Sequence, residues 1–271
     1  MTIFITITIL AFAFIVSIVY QTLWVKCSYH RIGLGKSKSS LKVVQLSDLH
    51  GRIRFINGSL SSLVNRINPD CVMITGDLAS KKGQLEGVLN EIARINCPNL
   101  YFVPGNYERE GLDGFQKRVY SASEYNFIIQ SLQGLNVAVL ENSGSTIEWN
   151  GKKCLVYGFD NSIYGNERLT WSKEDMASAD CVIMLAHSPS ILTFIENKQL
   201  TYDLLLAGHT HGGQIRLLNK TIGAYKGCHV GLKQTNKRSH FYINRGLGTV
   251  KIPLRVACFP EIAVFEIGIC T

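Results

Sequence analysis

The sequence predicts an α/β fold in which two stacked sheets carry helices on their outer sides, preceded by one membrane-spanning helix. Three observations carry that prediction. The first 25 residues hold no charged side chain and are dominated by Ile, Leu, Phe, Val and Ala. From residue 41 to about 133, short apolar runs alternate with helical patterns, as βαβ units of a mostly parallel sheet do. From Phe241 to Ile267 the chain again reads as strands, which suggests a second sheet stacked on the first.

The elements follow in order. About 20 apolar residues suffice to cross a hydrocarbon core of roughly 30 Å, and Tyr20 and Trp24 close the run where an aromatic belt would lie. A cleaved signal peptide would want a positive n-region and a small-residue cleavage site. No Lys or Arg precedes this run, so residues 1–25 are expected to be an uncleaved anchor. Lys26, Arg31, Lys36 and Lys38 follow it, and positive charge favours the cytoplasmic side. The expectation is a single-pass protein with a short N-terminus outside and its catalytic body in the cytoplasm. Residues 26–40, ending in a Gly/Ser/Lys-rich stretch, read as a juxtamembrane linker, and 41–271 as one domain. Within it, strands are expected at 41–47, 71–75 and 100–104. Helices are expected near 58–67, 84–95 and 123–133, the first with Leu60, Leu63, Val64 and Ile67 on one stripe. Short strands follow at 136–142, 146–149 and 152–158, with Asn150-Gly151 as a hairpin turn. Helices near 172–178 and 190–197 alternate with strands at 181–186 and 203–207. The closing strands are Phe241–Asn244, Val256–Cys258 and Ile262–Phe265.

The net charge of +8 lies after residue 25, with basic pairs at Arg52/Arg54, Lys81-Lys82, Lys117-Arg118, Lys152-Lys153 and Lys237-Arg238. A solvated basic surface accounts for such pairs, and so does a nucleic-acid footprint. Beside an anchor, attraction to anionic lipid headgroups is the favoured reading. Eight cysteines are present, but no Cys-x-x-Cys spacing supports a zinc ribbon. Cys71, Cys154 and Cys181 fall in expected strands as small apolar residues, in keeping with a reducing compartment.

The chemistry is concentrated at strand ends. Asp48 and His50 follow the run 43–47, Gly76-Asp77 the run 71–75, and Gly105-Asn106 the run 100–104. His187 follows 181–186, and Gly208-His209-Thr210-His211-Gly212-Gly213-Gln214 follows 202–207. In sheets flanked by helices, ligands bind beyond the carboxyl ends of the strands. Asp, His and Asn are hard and borderline ligands, which suits a two-metal centre. Singly these signals are weak. A lone Asp-x-His is as well explained by a capped loop, although period-two alternation would put both side chains on one side of an extended segment. A lone His187 is as well explained by core packing. The Gly-His-x-His element, hedged by glycines, is the hardest to explain structurally, and the set taken together is specific.

The order and spacing of these motifs resemble the calcineurin-like metallophosphoesterase family, over residues 43 to 214. The similarity extends to its small membrane-associated bacterial branch of phosphodiesterases and UDP-2,3-diacylglucosamine pyrophosphatases, which Gly208–Gln214 and Asn244–Thr249 resemble. The resemblance implies a four-layer αββα sandwich and two divalent metals. One metal would be held by Asp48, His50, Asp77 and His211; the other by Asp77, Asn106, His187 and His209, with Asp77 bridging. Such a pair lowers the pKa of a water between the ions and clamps phosphoryl oxygens, so that hydroxide attacks phosphorus in line. No cysteine joins the set, so Mn²⁺ first, then Fe or Zn²⁺, suit it.

One residue departs from the family pattern. Where the family has Gly-Asn-His, this chain has Gly105-Asn106-Tyr107-Glu108. The resemblance assigns that histidine to phosphate stabilisation and leaving-group protonation, help worth about 10²–10⁴-fold. Tyrosine, with a pKa of roughly 10, is a poorer acid but still donates a hydrogen bond. The expected catalytic set is Asp77, Asn106 and Tyr107, with Asn106, Tyr107 and Arg245 touching substrate. His30, His229 and His240 carry no pattern and are expected at the surface. The implied function is hydrolysis of a phosphodiester or pyrophosphate bond of an anionic lipid or nucleotide-lipid such as UDP-2,3-diacylglucosamine. A nuclease, a phosphoprotein phosphatase, or a silent scaffold binding metal and phosphate are the alternatives; the anchor argues against nucleic acid.

Overall fold

The computed structural model describes residues 1–37, 40–114, 116–218, 220–221, 225–236 and 238–269; Lys38, Lys237 and Cys270 lie outside that set. Helix α1 (Thr2–Leu23) is an uninterrupted apolar helix. At 1.5 Å per residue its 22 residues reach about 33 Å, and none of its most apolar stretch is buried. Thr6, Thr8 and Thr22 donate within the helix, to the carbonyls of Thr2, Phe4 and Ile18.

The body is built on two six-stranded sheets. The strands are β1 (Lys26–Ser37), β2 (Leu41–Leu46), β3 (Cys71–Ile74), β4 (Asn99–Phe102), β5 (Val137–Val139), β6 (Ser143–Trp149), β7 (Lys152–Gly158), β8 (Cys181–Leu185), β9 (Leu204–Ala207), β10 (Gly231–Gln234), β11 (His240–Ile243) and β12 (Glu261–Ile269). The first sheet runs β1-β12-β2-β3-β4-β5 and the second β6-β7-β8-β9-β11-β10. In the first, β2 to β5 are parallel, β12 is antiparallel to β2, and β1 runs parallel to β12. In the second, β7, β8, β9 and β11 are parallel, with β6 and β10 antiparallel at the edges.

Alternation along the strands sorts side chains between layers. Val43, Cys71, Met73 and Tyr101 of the first sheet meet Cys154, Val156, Ile183, Leu206 and Tyr242 of the second in a central core. Val44, Leu46, Val72, Ile74 and Phe102 face the other way. They pack under α2 (Leu60–Ile67), α3 (Lys82–Ile92) and α4 (Ala122–Gln133). Leu155, Val182, Met184 and Leu205 pack under α5 (Lys173–Ala177) and α6 (Ile191–Asn197). The layers are therefore αββα, as expected. Local signals behave as their chemistry requires. Ser121 caps α4 in a reciprocal pair with Glu124. Asn150 and Gly151 both take positive φ (48° and 73°) in the tight β6–β7 turn.

Three expectations are corrected. Residues 26–37 are not a linker: they pair with β12 from Lys26↔Glu261 to Ile32↔Ile267, and Ile32 is fully buried between the sheets. Their polar and glycine-rich composition hides a strand that sits at a sheet edge. Val256–Cys258 is no strand; it makes one isolated bridge, Ile215↔Val256. His30 is not a free surface group: it is half-buried, stacked on Phe265 and tilted against Tyr242. His229 and His240 are likewise half-buried. The seven described cysteines are all free.

Candidate metal centre

The register brings all the expected ligands to one edge. Asp48, Asp77 and Asn106 follow β2, β3 and β4, while His187, His209 and His211 follow β8 and β9. Parallel strands deliver their carboxyl ends together, so both sheets open on the same side. Five of the side chains sit on backbone in the left-handed region: Asp48 (φ 51°), His50 (46°), Asp77 (60°), His209 (67°) and His211 (52°). Asp and His tolerate that region better than most residues, and such outliers gather at functional sites. Asp48 and His50 therefore share a side because the chain turns there, not because it is extended. Gly76 is required by close approach as well as by its φ of 78°: a Cβ would lie 2.5 Å from the Gly105 nitrogen and 2.7 Å from His187 Nδ1.

Two clusters result, Asp48/His50/His211 and Asp77/His187/His209, the ligand atoms within each lying within 4.8 Å of one another. His50 Nε2 is 3.1 Å from His211 Nε2 and 3.5 Å from Asp77 Oδ2, while His211 Nε2 is 3.4 Å from Asp48 Oδ1. In the second cluster, His187 Nε2 is 3.3 Å from the same Asp77 Oδ2, 3.1 Å from His209 Nδ1 and 3.2 Å from Asn106 Oδ1. Asp77 Oδ2 thus faces both clusters, the position of a bridging carboxylate.

The other faces of the rings are held by different groups. Ser80 Oγ lies 2.8 Å from His50 Nδ1, the Thr75 carbonyl 2.8 Å from His187 Nδ1, and Tyr225 OH 3.1 Å from His209 Nε2. Outer contacts of this kind fix which nitrogen of a ligating histidine turns to the metal. Asp48 accepts from the His209 N–H with both oxygens and from Ser47 Oγ. Asn106 donates from Nδ2 to Glu110 (3.0 Å), which leaves its amide oxygen turned to His187. Glu108 accepts from the N–H groups of Asp77, Leu78 and Gly105 and so ties two ligand loops together.

These residues fit a pair of divalent cations. The Nε2 atoms of two buried imidazoles converge at 3.1 Å beside carboxylate oxygens. Burial disfavours the charged ring and pushes His50 and His209 down to about 4, with His211 also well down, so all three are neutral and ligand-ready at pH 7. Burial lifts Asp48 to about 6. For Asp77 burial also acts upward, but the facing His187 and the Tyr107 N–H hold its carboxyl well below the usual range. His187 is the counterpart: burial opposes its charge, and Asp77 raises it to about 10 all the same. The donors are carboxylate, imidazole and amide oxygen with no thiolate, a set for hard to borderline ions.

The model for calcineurin-like phosphoesterases matches residues 41–213. The chain belongs to that family. The phosphoesterase is 28% identical over 240 residues to the uncharacterized metallophosphoesterase YkuE of Bacillus subtilis, covering 83% of this chain and 78% of that one. It is 29% identical over 259 residues to a Bos taurus protein named transmembrane protein with metallophosphoesterase domain, covering 88% of this chain but 55% of that longer one. Among solved structures it resembles the NAD nucleotidase of Haemophilus influenzae in fold, with a TM-score of 0.52 at 14% identity, over 77% of this chain and 45% of that one. Family membership implies metal-dependent phosphoester hydrolysis, and the apolar α1 with a transmembrane relative points to membrane association.

Of the expected substrate residues, Asn106 and Tyr107 lie in the phosphoesterase's centre. The Tyr107 N–H donates to Asp77 Oδ1 (2.8 Å), its ring stands edge-on to His50 at 4.7 Å, and burial beside Asp77 pushes its hydroxyl up to about 12. Arg245 pairs through its guanidinium with Glu261 at 3.3 Å, while its Cβ and Cγ lie against Gly212 in the His211 turn. Sequence reasoning missed Tyr225, Ser80 and the clamp made by Glu108. Ser80 and Glu108 lie within three residues of Asp77 and Asn106, a proximity that could have flagged them.

Proposed function

We propose that the protein is a membrane-anchored phosphohydrolase that cleaves a phosphodiester or pyrophosphate bond in an anionic lipid or nucleotide-lipid, of which UDP-2,3-diacylglucosamine is the model substrate. One observation carries the lipid assignment. Strand β1 begins beside the start of β12 (Lys26↔Glu261), and β12 lies against the end of β2 (Ala263↔Gln45). The foot of α1 therefore emerges at the same edge of the sheet as Asp48. A helix that enters a bilayer from that edge presents the ligand cluster to the lipid surface. A cavity of about 510 Å³ adjoins the centre, with Leu78, Ala79, Leu85, Leu89, Tyr107 and Ile128 among its lining residues, and its apolar lining suits an acyl chain.

Two divalent ions bound to the clusters would supply Lewis acidity, an activated water and a clamp on the phosphoryl oxygens. The chain supplies the rest. Asp77 ties the two clusters together, and Glu108 holds the Asp77 and Asn106 loops in register. The Tyr107 hydroxyl donates a hydrogen bond to phosphate but is a weak proton donor. That favours leaving groups needing little protonation, such as a nucleoside monophosphate released from a pyrophosphate. We place the body in the cytoplasm, on the side of Lys26, Arg31 and Lys36.

The test is a substrate panel with the full chain in lipid vesicles and Mn²⁺: UDP-2,3-diacylglucosamine, single-stranded DNA and a phosphoseryl peptide. The lipid pyrophosphate should be turned over fastest, by an order of magnitude or more. A preference for DNA or peptide would replace this reading with the nuclease or the protein phosphatase, and metal uptake without turnover on any substrate would favour the scaffold.

A further inference from the structure

We infer that the hairpin Arg216–Leu217/Lys220–Thr221 is a second membrane contact, which inserts Leu217 and Leu218 beneath anionic headgroups and lays the metal centre against the bilayer. The inference rests on α1 being a membrane span, and goes beyond it by naming what else in the body touches lipid.

The first observation is exposure. Leu217 and Leu218 are 63% and 88% exposed, and Ile252 nearby in the fold is 48% exposed. Leu218 also takes a φ of 47°, a conformation that turn residues such as Asn or Gly adopt readily and branched side chains rarely do. Among the described residues, nothing in the packing of the body calls for two adjacent leucines at a water-facing tip.

The second observation is place. The Arg216 N–H donates to the Val256 carbonyl, and the Val256 N–H to the Gln214 carbonyl. On either side of Val256, the Arg255 N–H donates to Thr22 Oγ1 (2.9 Å) and the Ala257 N–H to Gln21 Oε1 (2.6 Å). Gln21 and Thr22 belong to the last turn of α1, the part of a spanning helix that lies at headgroup level. Leu218 is two residues beyond Arg216, a reach of about 7 Å. The tip is therefore held close to the end of α1, where a spanning helix leaves the bilayer.

The third observation is charge. Between Leu204 and Pro260 the chain has nine Lys and Arg and no Asp or Glu. Arg216, Lys220 and Lys251 flank the exposed leucines and Ile252 in sequence. Apolar side chains with cations beside them in the chain suit an anionic lipid surface. A protein groove would have to supply matching carboxylates around an apolar slot, whereas a bilayer supplies both without shape.

The contact also reaches the chemistry. Thr221 packs where a Cβ on Gly213 would lie, 2.1 Å from the Thr221 methyl carbon, and Thr221 Oγ1 donates to the Gly212 carbonyl at 3.4 Å. The hairpin thus sits on the turn that carries His211. Arg255, fully buried, donates to the carbonyls of Arg245, Gly246, Gly248 and His211, while its own N–H meets α1. The foot of the anchor, the hairpin and the His211 turn are one hydrogen-bonded unit.

The experiment uses the full chain in vesicles of phosphatidylcholine and phosphatidylglycerol. An environment-sensitive fluorophore is placed at L218C, at F12C within α1, and at N150C in the β6–β7 turn at the opposite end of the body. Each is read as a difference from the unsubstituted chain carried through the same labelling. Brominated lipids should quench positions 218 and 12 and spare 150. Quenching at 12 without quenching at 218 overturns the hairpin contact and leaves the anchor standing; no quenching at 12 removes the anchor and the inference with it. A paired readout is L217E/L218E. Turnover of the bilayer-embedded substrate should fall by at least about tenfold, the loss expected from removing even one of the two leucines from lipid, while a soluble bis-aryl phosphodiester is hydrolysed as before. Equal effects on both substrates would overturn it.

Discussion

Tyr107 meets both halves of the chemistry, its backbone bonded to Asp77, which faces both clusters, and its ring against His50. With its hydroxyl pushed up to about 12, it gives little proton to a departing alkoxide. Tyr107→His should therefore speed hydrolysis of a dialkyl phosphodiester by roughly 10²-fold, within the usual span for general acid help. It should change turnover of a nucleotide-lipid pyrophosphate much less. A slower pyrophosphate reaction with an unchanged alkyl diester would refute this role. Tyr225→Phe removes the hydroxyl held against His209 Nε2. Losing such an outer contact costs about 10–100-fold in metal affinity, to be read by titration with Mn²⁺; an unchanged affinity would reduce Tyr225 to packing. Protonation sets a further test. Because His187 is raised to about 10 by Asp77, the metal-free centre carries a proton at pH 7 that a ligating imidazole must lose. Metal uptake should release that proton and tighten as pH rises. Calorimetry in two buffers of different ionisation enthalpy measures it, and no proton release would contradict the assignment. The seven candidate ligands were legible because Asp, His and Asn stood alone at the ends of apolar runs. Tyr225 was not, because nothing in its local sequence ties it to a histidine 16 residues away that it meets only through folding.

At the scale of elements, helices α2 and α3 are joined by a buried carboxylate. Glu91 Oε2 accepts from the Ser61 N–H at 3.0 Å and from Ser61 Oγ at 2.7 Å, at the start of α2. Burial acts against its charge, but those bonds and Arg94 hold its pKa below the ordinary glutamate value. Glu91→Ala would leave the Ser61 donors unpaired, a loss of about 1–3 kcal/mol. That should appear as a Tm lower by about 2–4 °C per kcal/mol, with metal content unchanged. An unaltered Tm would mean that water replaces the carboxylate. Elements with a clear period or turn were legible: α2 from its apolar stripe and the β6–β7 turn from Asn-Gly. Strand β1 was not, since an edge strand needs few apolar residues and this one carries Lys, Arg, His and Gly. The converse error, Val256–Cys258, had β-forming residues but turns at Ala257 (φ 50°) after its single bridge to Ile215.

For the whole molecule, β1 makes helix α1 and the body one structure. A chain begun at Trp24 keeps Val25 and the β1–β12 pairing and should fold without the span. A chain begun at Leu41 exposes the edge of β12 and the face that Ile32 covers, and should aggregate. Equal solubility of the two would show that β1 is dispensable. The layer order followed from strand–helix alternation in the sequence. The shared edge of α1 and the ligand clusters did not, because it depends on β12 reaching back from the end of the chain to lie between β1 and β2. The central claim is that these side chains hold two ions that together hydrolyse phosphoesters. The measurement closest to it is turnover of a bis-aryl phosphodiester by the full chain, stripped with chelator and then titrated with Mn²⁺, beside Asp77→Asn. The account predicts that activity rises until two ions are bound per chain and is lost in Asp77→Asn. Turnover that needs no metal, or that survives loss of the shared carboxylate, would contradict it.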